Sequence, residues 1–143
     1  ADVIIWVNAL NLPEFTPELT DFPSSASVIE CDLQPSYATA NWAFDKQLHV
    51  GKRLLIAVLC ADSSGVSVPD FLAAGAVIER LAQLGLDALS PEAAVLNASY
   101  LKLSPVMSNL ISASLAVRES KNAPDNWAID ENADISSLTV LRN

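Results

Sequence analysis

Apolar positions along this chain keep two rhythms, strand-like before residue 61 and helix-like after residue 67. Residues 2–7 (DVIIWV) are β-branched and aromatic, and they predict a first strand. Residues 26–33 (ASVIECDL) predict a second, with Val28, Glu30 and Asp32 opposed to Ile29, Cys31 and Leu33. Residues 34–41 read as a polar connection. Residues 42–50 alternate loosely, with Trp42, Phe44, Leu48 and Val50 on one parity, and predict a strand leading into a turn at Gly51-Lys52. Residues 53–60 do not alternate at all. A run of that kind predicts a central strand covered on both faces.

Beyond residue 67 the spacing changes. Phe71, Ala74, Ile78, Leu81 and Ala82 form one helical stripe, opened by a capping-box pattern at Ser67-Val68-Pro69-Asp70 and stopped by Gly85. Ser90-Pro91-Glu92 starts another helix with a cap, a proline at the first helical position and an acid near the positive dipole end. Ser104-Pro105 repeats that signal. Residues 106–119 carry both helical and strand spacing, and helix is the preferred reading. Residues 122–134 predict an acidic loop pinned by Trp127 and Ile129, and residues 135–141 a closing strand.

The segment between the first two strands differs from both rhythms. Residues 8–25 hold Pro13, Pro17 and Pro23, the aromatics Phe15 and Phe22, and no glycine. Each proline drives its predecessor toward extended backbone, so the segment predicts a stiff extended arm rather than a floppy linker. The expected fold is therefore α+β over a single domain, residues 1–143. It has a small mixed or antiparallel sheet of four to five strands, two or three helices packed on it, and an extended N-terminal arm.

Charge changes what the arm implies. The chain carries a net charge of −9, and its first 45 residues contain seven acids and no base. Lys46, Lys52 and Arg53 then follow closely. Three clustered cations are a thin supply for counterion release, so direct nucleic-acid binding is not expected. The pattern instead suggests an interface in which Phe15, Leu19 and Phe22 anchor the arm on a neighbouring subunit, with Glu14, Glu18 and Asp21 facing Lys46, Lys52 and Arg53. Trp6, Trp42 and Trp127 fit core or interface anchors. The hydrophobic fraction of 51% is high for so acidic a chain and suggests more apolar surface than a solitary monomer carries. No apolar run approaches the ~20 residues of a membrane span, and no signal-peptide pattern opens the chain. A soluble location, in a virion or the cytoplasm, is the expectation.

Candidate chemistry is sparse. The residues 62–67 (DSSGVS) sit where α/β enzymes keep active-site loops, and a catalytic reading would use Ser63 or Ser64 as nucleophile, His49 as base and Asp32 or Asp62 as orienting acid. The nucleophile elbow, the phosphate-binding loop and the dinucleotide fingerprint are all missing, and Asp, Ser and Gly are ordinary turn formers. Cys31 and Cys60 have no metal-ligand spacing and read as reduced, buried thiols; were their strands adjacent, the two could face one another. No catalytic residue, cofactor site or metal site is assigned. Asn97-Ala98-Ser99 matches a glycosylation sequon by chance inside a predicted helix. These readings lead to a non-enzymatic structural subunit of a homomeric assembly, most concretely a virion component such as a capsid-decoration or tail protein. Its partners would be copies of itself and other assembly proteins. A small α/β hydrolase or transferase using residues 62–67, and a small-ligand-binding or regulatory domain, are the rivals.

Overall fold

The computed structural model describes residues 1–119 and 127–143. Four strands form one mixed sheet: β1 (Val3–Val7), β2 (Ser27–Cys31), β3 (Ile56–Cys60) and β4 (Thr139–Arg142), in the spatial order β3-β1-β2-β4. β1 runs parallel to both neighbours, with Val3 opposite Ser27 on one side and Ile56 on the other. β4 closes the far edge antiparallel to β2, with an irregularity between Val28 and Ile29. The α+β class and the mixed four-stranded sheet follow the expectation. The closing strand is shorter than expected, because Ile135–Ser137 form a 3-10 turn before it.

The sheet has two unlike faces. Val3, Ile5, Val7, Ile29 and Cys31 point to one side and merge with the buried faces of α1 (Ser36–Val50) and α2 (Val68–Gln83) into the main core. Ile4 and Val28 point to the other side, where Ala26, Phe22 and Leu141 make a second, smaller cluster. α3 (Pro91–Leu103) packs along α2, and Gly75 permits the approach, since a Cβ there would meet the Leu96 carbonyl oxygen at 2.4 Å. Ser90 caps α3 as its sequence implies, its hydroxyl accepting from the Ala93 amide at 3.1 Å. Asn97, within the sequon, donates to Glu79 at 2.6 Å and so ties α3 to α2. Gly85, at φ +100°, ends α2 in paired bonds from Gly85 N–H to the Ala82 carbonyl and Leu86 N–H to the Leu81 carbonyl, the Schellman arrangement. Residues 107–118 are helical, as α4 (Met107–Ala113) and α5 (Leu115–Arg118), broken at the extended Ser114. A 3-10 turn, Ser104–Val106, joins α3 to α4 in place of a fresh cap at Ser104.

Three expectations are corrected. Residues 42–50 are not a strand but the second half of α1, and the polar residues 36–41 are its first turns. The helix is anchored by small buried residues, Ser36, Ala38, Thr39, Ala40 and Ala43, with Trp42 as its one large buried side chain. Small side chains hide helical periodicity from a reading that weighs only large apolar ones. Gly51 then caps it in the left-handed conformation.

The run 54–60 is not a central strand; β1 and β2 are the inner strands, and β3 lies at the edge. Its lack of alternation arises because its helix-facing side is apolar for packing while its opposite side is apolar and open, with Leu55 67% and Leu59 40% exposed.

Residues 8–25, expected as an extended arm, are a crossover that lies on the chain's own sheet. β1 and β2 are parallel neighbours, so the chain between them must cross back over the sheet, and it does so on the face away from α1 and α2. Two 3-10 turns, Pro13–Phe15 and Leu19–Asp21, shape this crossover.

Cys31 and Cys60 are both free, but β1 separates their strands and both stand opposite Val7. Two strand spacings, about 10 Å, lie beyond the reach of a disulfide. Of the acidic loop 122–134, residues 122–126 fall outside the described residues. The remainder is held by Trp127 N–H donating to the Ser108 hydroxyl and Asp130 N–H to the Gln34 carbonyl.

Candidate functional site

In a parallel sheet the C-terminal strand ends, at the point where the strand order reverses, are where ligands usually sit. Here that point lies between β1 and β3, and it is filled from within. Asp70, at the start of α2 and only 4% exposed, accepts from the Ala9 amide at 2.9 Å with one carboxylate oxygen and from the Asp62 amide at 3.1 Å with the other. The expected capping box is therefore not made, because the carboxylate is turned toward the strand ends. Desolvation raises its pKa, and the Ala9 and Asp62 amides oppose that rise. A negative side chain at the helix N-terminus also cancels the attraction such an end holds for anions.

The loop beyond β3 is a side-chain-stabilised turn. Asp62 accepts from the amide and the hydroxyl of Ser64, leaving Ser63, Ser64 and Gly65 in solvent. The residues a catalytic reading would need are not brought together. His49 sits in the last turn of α1, before β3 begins, and bonds the Asp45 carbonyl at 2.8 Å. Ser63 and Ser64 follow the other end of β3. Five strand residues, roughly 16 Å of extended backbone, stand between them. Asp32 lies on the far side of β1. Burial pushes the Cys31 thiol up to about 12 and the Cys60 thiol up to about 11, far from the activated thiolates of nucleophilic sites.

A second acidic pair lies at the end of β2. Glu30 is buried, its carboxylate 3.4 Å from the Asn8 side-chain amide, and desolvation raises its pKa. Asp32 is pushed up to about 6, first by desolvation and then by the charge of Glu30. Asn8 meanwhile clasps the backbone of Leu12 twice, at 2.9 and 3.0 Å, and so pins the start of the crossover. Among the described residues no group of three or more His, Cys, Asp or Glu side chains is placed to hold a metal ion.

The six residues expected at an interface divide between two places. Phe15 and Phe22 hold the crossover to its own sheet: the Trp6 indole N–H donates to the Phe15 carbonyl at 2.7 Å, and the Phe22 ring meets Trp6 edge-on at 5.7 Å. Leu19 is exposed between them. Lys46 stands 5.4 Å from the centre of the Trp42 ring, a cation–π contact within the domain. Lys52 and Arg53 are exposed in the turn from α1 to β3.

The feature that sequence reasoning missed is the outer edge of β3. Leu55 accepts from Val3 N–H and Ala61 donates to the Val7 carbonyl, so the odd-numbered residues of β3 pair with β1. By the alternation of a parallel ladder, the amides and carbonyls of Ile56, Val58 and Cys60 point outward. Among the described residues no strand pairs with that edge. Edge strands are usually blunted by charge, proline or a bulge, and this one, IAVLC, has none of them. Beside it opens a groove of about 610 Å³, lined by Ile56 and Val58 of β3, Ile78 and Leu81 of α2, Leu86, and Ala93 and Leu96 of α3. The missed signal was available in principle: an uncharged strand joined through an exposed turn at Lys52-Arg53 is as compatible with an unguarded edge as with a buried centre.

No protein-family model matches this chain, and no curated protein is similar to it.

Proposed function

We propose that the chain is a non-enzymatic structural subunit, joined to neighbouring subunits in a larger assembly, and within that class a component of a virion such as a decoration or tail protein. The observation that carries the subunit reading is the outer edge of β3, unguarded and flanked by the exposed Leu55 and Leu59. An apolar edge of this kind is a liability in a solitary protein and an asset in one that is covered by a neighbour. The acidic balance supports the virion part, since a net charge of −9 suits a protein outside a nucleic-acid container better than one touching its contents.

Solution mass by light scattering across a concentration series tests the reading. A mass above 15.2 kDa that returns to the monomer in Leu55→Lys with Leu59→Lys is expected. A strictly monomeric parent at high concentration counts against homomeric assembly.

A small-ligand reading draws on one specific observation, the volume of the groove beside β3, which falls within the range of small-molecule sites. Thermal-shift screening against small apolar metabolites tests it. A saturable rise in melting temperature would favour that reading over the subunit one.

A further inference from the structure

We infer that the crossover is a hinged lid on the sheet face away from α1 and α2, and that Arg142 of β4 is its latch. Lid and latch open as one unit while the helix-covered face stays closed.

The lidded face is thinly covered. Its cluster has Ile4, Ala26 and Val28 fully buried, and the cover over them is shared, with Phe22 coming from the crossover and Leu141 from β4. Each element supplies one half-buried side chain there. The helix-covered face, by contrast, merges with α1 and α2 into the main core. Segments with few buried apolar contacts open at a lower free energy than the core they rest on.

One side chain joins the two covering elements. The Arg142 guanidinium donates from Nε to the Ala26 carbonyl at 2.8 Å, from Nη2 to the Pro23 carbonyl and from Nη1 to the Leu19 carbonyl at 3.5 Å. Backbone carbonyls spread over residues 19–26 thus converge on a single planar fork of donors, an arrangement that a lysine ammonium cannot reproduce. The grip is on backbone, so it fixes the path of the crossover itself. Within the same stretch the ties are single-turn bonds, from Phe22 N–H to the Leu19 carbonyl and from Ala26 N–H to the Pro23 carbonyl.

The other end of the crossover is tethered to the core. Asn8 clasps Leu12, and the Ala9 amide donates to Asp70 of α2. Residues 8–12 therefore stay in place and form the hinge. Trp6 senses the lid from β1, through its indole N–H on the Phe15 carbonyl and its ring against Phe22. Arg142 stands opposite Val28 of β2, so it reaches Trp6 only through the crossover.

Hydrogen exchange followed by NMR on the whole chain tests the latch. The Trp6 indole N–H and the Ala26 amide report the lid, and the amides of α2 report the core. Arg142→Gln should speed exchange at both lid reporters at least about tenfold, the equivalent of losing a hydrogen bond to a charged group, and leave the α2 amides within about twofold. Arg142→Lys should behave like Arg142→Gln, because one ammonium cannot span the three carbonyls. Leu141→Ala loosens β4 from its apolar side and should move the same two reporters, which keeps the test available if Arg142→Gln fails to fold. Faster exchange confined to β4, with Trp6 and Ala26 unchanged, would overturn the inference. So would equal acceleration of lid and α2 amides, the mark of an ordinary loss of global stability. Full protection of the lid in Arg142→Lys would overturn it as well, since a charge at the sheet edge would then suffice.

Discussion

Gly75 of α2 and Leu96 of α3 are in backbone contact: a Cβ added at Gly75 would stand 2.4 Å from the Leu96 carbonyl oxygen and 2.6 Å from the Tyr100 Cβ. Neither obstacle is the end of a flexible side chain, so α3 as a whole must move to admit one. Gly75→Ala should therefore destabilise by about 1–3 kcal/mol despite alanine's higher helix propensity. Chemical denaturation measures the change. A neutral or stabilised variant would show that α3 packs on α2 less closely than described.

Asp70 joins three segments through two backbone amides. Asp70→Asn keeps the shape but replaces one acceptor with a donor, leaving the Ala9 or the Asp62 amide facing an N–H. A loss of about 1–3 kcal/mol is expected, the usual penalty for a buried polar group left unsatisfied. Hydrogen exchange at the Ala9 and Asp62 amides should accelerate together with the loss. Unchanged exchange at both amides would exclude the clamp.

The acidic pair at the end of β2 sets a pH dependence. The Asp32 carboxyl is raised from 3.8 to about 6 in the folded chain, so between those values the folded state holds more protons than the unfolded one. Stability then falls as pH rises through that window, and the penalty is complete above the folded pKa. Glu30 and Asp70, both raised by burial, act in the same direction. The melting temperature should be higher near pH 5 than at pH 7, and Asp32→Asn should flatten the difference and raise the value at pH 7. A melting temperature that climbs from pH 5 to pH 7 in the parent would contradict this.

Phe22 and Leu19 neighbour each other on the crossover and should behave oppositely. Phe22 packs on Trp6 and the Ile4–Val28 cluster, so Phe22→Ala should cost about 1–3 kcal/mol, below the 3–5 of a fully buried phenylalanine because it is half-buried. Leu19→Ala should stay within about 0.5 kcal/mol, as surface changes do. Paired melts of the two variants decide the matter. Equal effects would mean that the crossover is not held on the sheet by its aromatic residues.

Much of this fold was legible where a residue has only one structural use. Ser90-Pro91 starts a helix, Gly85 stops one, and DVIIWV makes a strand under almost any topology. Residues 42–50 were not legible because α1 rests on Ala38, Ala40 and Ala43, whose small side chains leave Trp42 and Phe44 to mimic alternation. The rank of β3 in the sheet was not legible either. An apolar run states that both faces avoid charge, and Leu55 at 67% exposure shows that avoiding charge is not the same as being covered. At the site, Phe15, Leu19 and Phe22 were read as anchors on a neighbouring subunit, and of these Phe22 lies on the surface of its own domain, against the Trp6 ring. What sequence could not settle was whose surface it is, because a parallel β1–β2 pair forces the segment across its own sheet only once the pairing is known. Asp70 looked like half of a capping box since its two amide partners are 61 and 8 residues away.

The central place of β1 has a consequence in time. The strand is among the first residues of the described chain, yet its partner in β3 lies 53 positions later, Val3 opposite Ile56. At a synthesis rate of roughly 5–20 residues per second, β1 leaves the ribosome about 3–10 s before β3 can meet it. Through that interval VIIWV is an uncharged segment with both ladders open, and β2, reached sooner, can close only one of them. The six acids between Asn8 and Asp45, unbalanced by any base in that stretch, keep this waiting chain negatively charged and so repel other nascent copies. Crowded acid in the first third of the sequence then serves the passage to the fold as much as the fold itself.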